Sequence, residues 1–500
     1  MSKIKISIPL FFALLLLVKL THGFFYEQKQ KNANGSTHVS IATNIQDTTL
    51  NSLQIFHYPD TIHHQFLQAE RDSNFTYKKY MDFLEKVSDT SKFIVVPINQ
   101  FRQTFDKNKV IIGLRHDVDL DLNIASQLST VENNIGFRSS YYILHTAPYY
   151  LADKNNMAAH NDSIIPTLKT MQNEFHHEIG WHNDLITLQL VYKIDPIAYF
   201  HKELNWLRGN GLKIYGTASH GSNYCYTYKY LNYYFFEECK NPKVGQFVNN
   251  DTVWVDKELI KLKHAHLKDF QLDYEAYFLN NNKYLSDAQF INQERWNPGR
   301  LNINDLKPGD RVIVLTHPIY YWPSGLSLVN LTSFKIDGQL TSAIDASNFT
   351  IEVELPAGEK ADHLRVDYNA SPKATVWVGK KRIISGVSLI DFTKPVKFRI
   401  VAENGIAHSD WMVKIKFIET KFTVYPNPST GIVSLYFENI TSTDSRLDIY
   451  NIAGTLVYSE MIIQKGSFTI FRNFSKLPAG MYFLKLTSGD KQLVQRFVRN

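Results

Sequence analysis

Between residues 76 and 325, short apolar runs alternate with segments whose apolar residues recur every three or four positions. The apolar runs predict buried strands and the periodic segments predict helices. Repeated alternation of the two is typical of a parallel α/β sheet or barrel. Strands are predicted at 93–96, from 110 onward, and at 137–144, 179–181, 212–217 and 311–316, and helices at 77–87, 122–132, 164–175 and 196–207.

The pattern changes after about residue 325. From there to residue 420, short alternating runs are separated by turns rich in Gly, Asn, Asp and Pro, and no segment has convincing helical periodicity. This predicts an Ig-like β-sandwich. The segment 421–500 is also all-β in pattern and predicts a smaller sandwich. We therefore expect a multidomain chain with an α/β domain at 76–325 and all-β domains at 326–420 and 421–500.

The first 75 residues differ from the rest. Residues 1–23 combine a charged start, an apolar run and small residues before a cleavage point, which is the pattern of a secretory signal peptide. Residues 24–75 are polar and aperiodic at first and predict a lead-in segment. The apolar run is short for a membrane span and no second run exists, so we expect no transmembrane span in the mature protein.

Charge and cysteine content restrict the partners. The net charge is +6 over 500 residues with no basic block, so a nucleic-acid partner is not expected. Cys225 and Cys239 are the two cysteines. In an exported protein they could form one disulfide, or both could stay free and buried, and the sequence leaves both possibilities open.

Polar residues follow several of the predicted α/β strands. Asp117 and Asp119 end the strand that starts at Val110, and His182, His220 and His317 follow later runs. The carboxyl ends of parallel strands lie at one edge of a sheet, where α/β domains keep their chemistry. Carboxylate and imidazole groups together suit Zn²⁺ or another first-row divalent ion. The spacing therefore predicts one shared metal site and a hydrolytic reaction.

The order of these motifs resembles that of the polysaccharide deacetylase-like (NodB homology) family. The resemblance implies a distorted β/α barrel and hydrolysis of acetyl groups on an acetylated glycan. It implies Asp117 as general base, His317 as general acid, and Asp119 and His182 as metal ligands. Contacts to substrate or support of the ligands are expected from Arg115, His116, Asp287 and Trp181. The motifs lie at 115–119, 137–144, 177–182, 219–222, 284–287 and 315–318.

The chain departs from the family pattern at Val118, which separates the two aspartates, at 219–221, which replace an Arg-Pro-Pro motif, and at one ligand position. The second metal histidine of the family lies one helical turn after the first, and this chain has Ile186 there. The third ligand is expected to be His220, with Asp184 as the alternative. Two hypotheses follow: an exported metal-dependent deacetylase, or a non-catalytic carbohydrate-binding or adhesive protein built on a deacetylase-like scaffold. Retention of Asp117, Asp119, His182 and His317 favours the enzyme, whereas loss of the second histidine favours the scaffold.

The C-terminal segment resembles the sorting domain of the type IX secretion system of Bacteroidetes. The resemblance is carried by the Pro/Gly turn cluster at 425–431, two strand–turn–strand units at 447–458 and 477–486, and a final strand at 494–498. It implies export to the periplasm by the signal peptide and then passage through the type IX machinery, so that the protein is secreted or held at the cell surface.

Overall fold

The computed structural model describes residues 73–152, 159–240, 247, 251–291, 294–440, 442–489 and 491–500. The predicted signal peptide and almost all of the lead-in segment lie outside these residues. The two all-β regions and the α/β region are each present in the described part of the chain.

The α/β domain is built on an eight-stranded parallel sheet. Its strand order is β8-β5-β4-β3-β2-β12-β9, and β1 pairs with the first half of β2. Among the described residues no pairing joins β8 to β9, so the sheet is a parallel half-barrel. The strands of this region are β1 (Phe93–Pro97), β2 (Val110–Val118), β3 (Ser140–Leu144), β4 (Glu178–Asn183), β5 (Gly216–Ser219), β6 (Thr252–Val255), β7 (Glu258–Lys261), β8 (Tyr274–Glu275), β9 (Lys283–Ser286), β10 (Phe290–Ile291), β11 (Glu294–Arg295) and β12 (Arg311–Thr316).

The helices begin where the sequence places capping residues. Thr76 caps the first helix by accepting a hydrogen bond from the Lys79 amide (3.2 Å), and Asp121 and Asp195 cap two others in the same way. The helices are α1 (Tyr77–Lys86), α2 (Ile98–Phe101), α3 (Leu122–Asn134), α4 (Ile164–Lys169), α5 (Leu185–Tyr192), α6 (Pro196–Gly209) and α7 (Asn223–Tyr228).

Most predicted elements are confirmed, with shifted boundaries in three places. The strand predicted at 137–144 begins at Ser140, and the helix predicted at 164–175 ends as α4 and continues as a π-turn over Thr170–Glu174. The strand predicted at 212–217 lies at Gly216–Ser219. Leu212 and Ile214 are buried in the apolar core but are not part of the sheet, so their burial reflects packing and not strand pairing.

The two faces of the sheet have different roles. The outer face packs against the helices through large apolar clusters. The inner face is closed at the amino ends of the strands by α2, where Ile98 and Phe101 pack with Ile111, Tyr142 and Tyr274. Alternate positions of β2 therefore point into the half-barrel. Arg115 and Asp117 lie nearer the carboxyl ends of the strands than the apolar side chains that pack against α2.

The region 326–420 is a two-sheet all-β domain, as the alternating pattern predicts. Its sheets have the orders β13-β16-β19 and β14-β15-β21-β20-β17-β18. The strands are β13 (Leu331–Ile336), β14 (Thr341–Asp345), β15 (Thr350–Pro356), β16 (Leu364–Ala370), β17 (Thr375–Val378), β18 (Lys381–Ile383), β19 (Leu389–Ile390), β20 (Val396–Val401) and β21 (His408–Ile418).

This Ig-like domain is joined to the α/β domain by shared packing. Trp377 and Val401 are buried in the same apolar cluster as side chains of α1 and α3. The Asn134 amide nitrogen donates to the carbonyls of Gly405 and Ile406, both at 3.0 Å. The two domains therefore share part of one hydrophobic core.

The last domain is a second two-sheet sandwich with its own core. Its sheets have the orders β22-β23-β26 and β25-β24-β27-β28. In the described part of the chain, no helix has both the length and the apolar character needed to cross a bilayer. The strands are β22 (Lys421–Tyr425), β23 (Ile432–Ile440), β24 (Ser445–Asn451), β25 (Leu456–Ile462), β26 (Gly466–Asn473), β27 (Gly480–Ser488) and β28 (Lys491–Arg499).

Candidate metal centre

Three side chains converge at the carboxyl ends of β2, β4 and β5. Asp119 follows β2, His182 is the fifth residue of β4, and His220 follows β5. Each offers one ligand atom, and the three atoms lie within 4.8 Å of one another. One carboxylate and two imidazoles form a donor set that suits Zn²⁺. The structure thus brings together the three residues that the sequence nominated as ligands.

The hydrogen bonds of His182 fix the direction of its lone pair. Its Nδ1 lies 2.8 Å from the Ala218 carbonyl oxygen, which can only accept, so Nδ1 carries the proton. A neutral His182 then directs an unprotonated Nε2 at the Asp119 Oδ1 atom, 3.2 Å away. That oxygen is buried and has no hydrogen-bond partner among the described residues. Two acceptors held this close require a cation between them, either a proton or a metal ion.

His220 completes the group, and Asp184 lies behind it. Asp184 Oδ1 is 3.6 Å from His220 Nδ1, and Asp184 Oδ2 accepts a hydrogen bond from Thr146 (3.0 Å). The cluster includes His220 and not Asp184. Of the two alternatives for the third ligand, the geometry favours His220, and the Asp184 carboxylate faces its ring. Ile186 is fully buried in the apolar core and takes no part.

Asp117 lies beside the cluster and is paired with Arg115. Two guanidinium nitrogens of Arg115 donate to the two carboxylate oxygens of Asp117, each at 2.8 Å. Burial disfavours the charge on Asp117, but the Arg115 guanidinium together with His182 and His317 outweighs it and lowers the pKa of the carboxyl group. Asp117 Oδ2 is also 3.6 Å from His182 Nε2. An ionised carboxylate is therefore fixed next to the three candidate ligands.

His317 approaches from β12 on the other side. Its Nδ1 donates to Asp287 Oδ1 at 2.6 Å, and its backbone amide donates to Asp287 Oδ2 at 2.7 Å. Its Nε2 lies 3.8 Å from Asp119 Oδ2. Burial opposes the charge on the ring, but the Asp287 carboxylate raises the pKa of His317 to about 9. At neutral pH His317 is a protonated imidazolium aimed at the cluster.

Two predicted site residues point the other way. His116 alternates with Asp117 along β2, and its ring faces the helices, where Nε2 is 2.9 Å from Glu132 Oε1 and Nδ1 is 2.6 Å from Thr316 Oγ1. Trp181 alternates with His182 and stacks on His145 at 4.6 Å within the apolar core. Neither side chain faces the half-barrel interior, so support of the ligands, and not substrate contact, is the expectation that their positions favour.

His116 belongs to a buried polar network on the outer face of the sheet. Its centre is Glu132, a fully buried carboxylate that also accepts hydrogen bonds from Tyr80 (2.7 Å) and Tyr141 (2.8 Å). His177 lies at its edge, with Nδ1 accepting from the Ser139 amide (3.2 Å) and Nε2 donating to the Ser129 carbonyl (3.0 Å). The network ties the strands that carry the site to α1 and α3.

Acidification is expected to unfold the protein partly through His177. Burial lowers the pKa of this side chain from 6.5 to about 4. The contribution of the buried, neutral ring to the free energy of unfolding is therefore fully present above pH 6.5, and it is lost as the pH falls toward 4. This contribution is on the order of 3 kcal/mol. Urea unfolding at a series of pH values should show a smaller loss between pH 6.5 and 4 in His177→Gln than in the wild type. Parallel curves would contradict this assignment.

Two further features were not predicted or were left open. Asn232, within an aromatic segment without periodicity, is fully buried and binds both Asp184 and the backbone of His220. The only sequence signal for it is a polar residue in an otherwise apolar run.

Cys225 and Cys239 are free, buried thiols, so no disulfide forms between them.

Comparison with known families identifies the C-terminal domain. Residues 423–500 match a family described as the secretion system C-terminal sorting domain. The predicted sorting domain is confirmed. The protein is therefore secreted or displayed at the cell surface, and its partner in export is the type IX secretion machinery. Residues 331–415 match a second family, described as SGBP, N-terminal. Neither match includes the α/β domain.

Comparison with solved structures gives only weak likenesses. A candidate glycoside hydrolase from Bacteroides thetaiotaomicron has 10% identity and a TM-score of 0.16, over 35% of this chain and 83% of that chain. Dimeric latent PorU from Porphyromonas gingivalis has 12% identity and a TM-score of 0.16, over 34% and 20%. A titin Ig tandem has 14% identity and a TM-score of 0.16, over 34% and 98%. No curated protein matches the chain.

Proposed function

We propose that residues 76–325 form a metal-dependent hydrolase that removes acetyl groups from an acetylated glycan outside the cell. The observation that carries the proposal is the approach of Asp119 Oδ1 and His182 Nε2 to 3.2 Å, with His220 beside them and no hydrogen-bond partner for the oxygen among the described residues. The same region carries the deacetylase-like motifs. The match of residues 331–415 to the SGBP family supports a carbohydrate-related role at a surface.

The donor set fits a divalent ion such as Zn²⁺, with Asp119, His182 and His220 as the residues that would hold it. When bound, such an ion supplies Lewis-acid polarisation of a carbonyl and a water of lowered pKa. The fit is also electrostatic, because the buried carboxylate of Asp117 and the partly exposed carboxylate of Asp119 concentrate negative charge there.

The remaining groups have complementary acid–base states. Asp117 is held ionised by Arg115 and can accept a proton from an attacking water. His317 is held protonated by Asp287 and can donate a proton to the leaving group. A base and an acid on two sides of one small site are what hydrolysis of an amide or ester requires. Asp287 and Arg115 fix the orientation of the acid and of the base, respectively.

Removing one candidate ligand tests the metal site directly. Asp119→Ala should weaken zinc binding by more than about 100-fold, because the loss of a ligand exceeds the loss typical of its hydrogen-bonded supports. Zinc stoichiometry after dialysis and calorimetric titration measure the effect. The matched control is Asp121→Ala, which removes a carboxylate two residues away that caps α3. Its zinc affinity should equal that of the wild type.

Acetate release completes the test. The wild-type protein loaded with zinc should release acetate from at least one acetylated glycan, and Asp119→Ala should not. A wild-type protein that binds no divalent ion, or an Asp119→Ala variant with wild-type zinc affinity, would overturn the proposal. The first outcome would favour the non-catalytic scaffold.

A further inference from the structure

The third candidate ligand, His220, is not on a strand or helix. It lies in the loop between β5 and α7, so its position depends on contacts made by that loop. Its amide donates to the Asn183 carbonyl (2.8 Å), and the preceding Ser219 amide donates to Glu275 (2.7 Å). These bonds hold the start of the loop. They do not contact the carbonyl or the ring of His220.

Asn232 bonds the carbonyl directly, and it reaches the ring only through Asp184, whose carboxylate lies 3.6 Å from His220 Nδ1. Its Nδ2 atom donates to Asp184 Oδ1 (2.9 Å), which faces the His220 ring, and to the His220 carbonyl oxygen (3.0 Å). Its Oδ1 atom accepts from the backbone amides of Ile186 (3.0 Å) and Thr187 (3.1 Å). The side chain is wholly buried, although it is about 45 residues away in sequence from the helix that it contacts.

The partners leave one orientation for the Asn232 amide. Backbone amides can only donate, whereas a carbonyl and an ionised carboxylate can only accept, so the oxygen must face α5 and the nitrogen must face Asp184 and His220. The oxygen caps the first turn of α5, where the side chain of Asp184 makes no capping bond. One residue therefore joins the amino end of α5, the carboxylate behind His220 and the backbone of His220.

We propose that Asn232 is a positioning residue for the metal centre, acting through His220. It fixes the His220 carbonyl and the Asp184 carboxylate together, so that the imidazole ring is presented to Asp119 and His182 before any ion binds. This inference rests on the proposed function. It also explains how His220, although it lies in a loop, can be held as a ligand in a chain that has Ile186 one helical turn after His182.

The sharpest test is Asn232→Asp. This nearly isosteric change keeps an oxygen for the amides of Ile186 and Thr187 but replaces the donor that faces Asp184 and the His220 carbonyl with an acceptor. We expect zinc affinity to fall about 10- to 100-fold, the range found when support of a metal ligand is lost. Titration with zinc and the visible absorption spectrum of the cobalt-loaded protein, which reports coordination geometry, are the two measurements.

A second buried asparagine serves as the matched control. Asn134 also donates through Nδ2 to two acceptors, the carbonyls of Gly405 and Ile406, but at the boundary with the Ig-like domain. Asn134→Asp should lower the melting temperature comparably and leave zinc affinity and the cobalt spectrum unchanged. Equal effects of the two variants on zinc affinity would show that Asn232 acts only through general stability, and would overturn the inference.

A double-mutant cycle tests whether the effect passes through His220. In a His220→Ala background, Asn232→Asp should cause no further loss of zinc affinity, because its target is already absent. Additive losses would contradict the inference. If Asn232→Asp fails to fold, Asn232→Ala carries the same cycle without adding a charge. A wild-type protein that binds no zinc would refute the proposed function, whereas zinc binding that is unaffected by the Asn232 variants would refute only this inference.

Discussion

Asp117→Asn is expected to lower the rate of acetate release about 1,000-fold while zinc remains bound, since a positioned general base contributes roughly 10²- to 10⁴-fold. The three candidate ligands are untouched by the change. The amide cannot accept a proton from water at neutral pH, and its NH₂ group faces the donors of Arg115 or the ring of His182. Turnover should therefore fall while zinc content stays at the wild-type value, and both are measured on the same sample.

Stability must be controlled in that comparison. Arg115 is wholly buried, and removal of its carboxylate partner leaves a charge without compensation, which costs about 3–5 kcal/mol in typical cases. Rates should be compared well below the melting temperatures of both proteins. Asp121→Asn, an exchange of the same type outside the cluster, should keep full turnover. Wild-type turnover in Asp117→Asn, or simultaneous loss of zinc, would refute the assignment of Asp117 as base.

The convergence of the site residues could be predicted because it follows from a simple rule of sheet geometry. Parallel strands end at one edge, so polar residues after β2, β4, β5 and β12 must lie near one another. The structure places Asp119, His182, His220 and His317 there. Arg115 and Asp287, expected to contact substrate or support the ligands, hold Asp117 and His317 in place.

The side chains of His116 and Trp181 face away from the cluster for a reason that the sequence already contained. Each is adjacent to a residue that points into the half-barrel, and strand alternation sends the next side chain to the opposite face. His116 contacts Glu132, and Trp181 stacks on His145. Family motifs are contiguous in sequence, whereas the site uses only alternate positions of each strand.

Other features depend on long-range contacts that have no local sequence signal. Asn232 approaches His220 because an aromatic segment folds back over β5, and no periodicity marks that path. Glu132 interrupts the buried side of α3 with a charge that finds its partners on β2 and β3. A buried polar residue in either place can be recognised as unusual, but its partners come only from the tertiary structure.

Deletion of residues 326–500 is expected to destabilise the α/β domain strongly. The deletion removes Trp377 and Val401 from the apolar cluster that they share with α1 and α3, and it uncovers Tyr77 and Val131, which lie beside Gly405. Each large apolar side chain that loses full burial costs about 1.5–3 kcal/mol. Exposure of several such groups approaches the total stability of a typical domain, about 5–15 kcal/mol. A melting temperature at least about 10 °C lower, or loss of the transition, is expected.

The matched control is deletion of residues 421–500 alone. The sorting domain has its own apolar core, and none of its described residues belongs to the cluster that Trp377 and Val401 share with the helices. A chain ending at residue 420 should therefore melt near the temperature of the full protein and bind zinc equally well. Thermal unfolding followed by circular dichroism, with zinc titration of each chain, makes the comparison. If the chain ending at residue 325 has the same melting temperature and zinc affinity as the chain ending at residue 420, the Ig-like domain is an independent spacer. If either value is lower, the Ig-like domain is part of the scaffold that holds the metal centre.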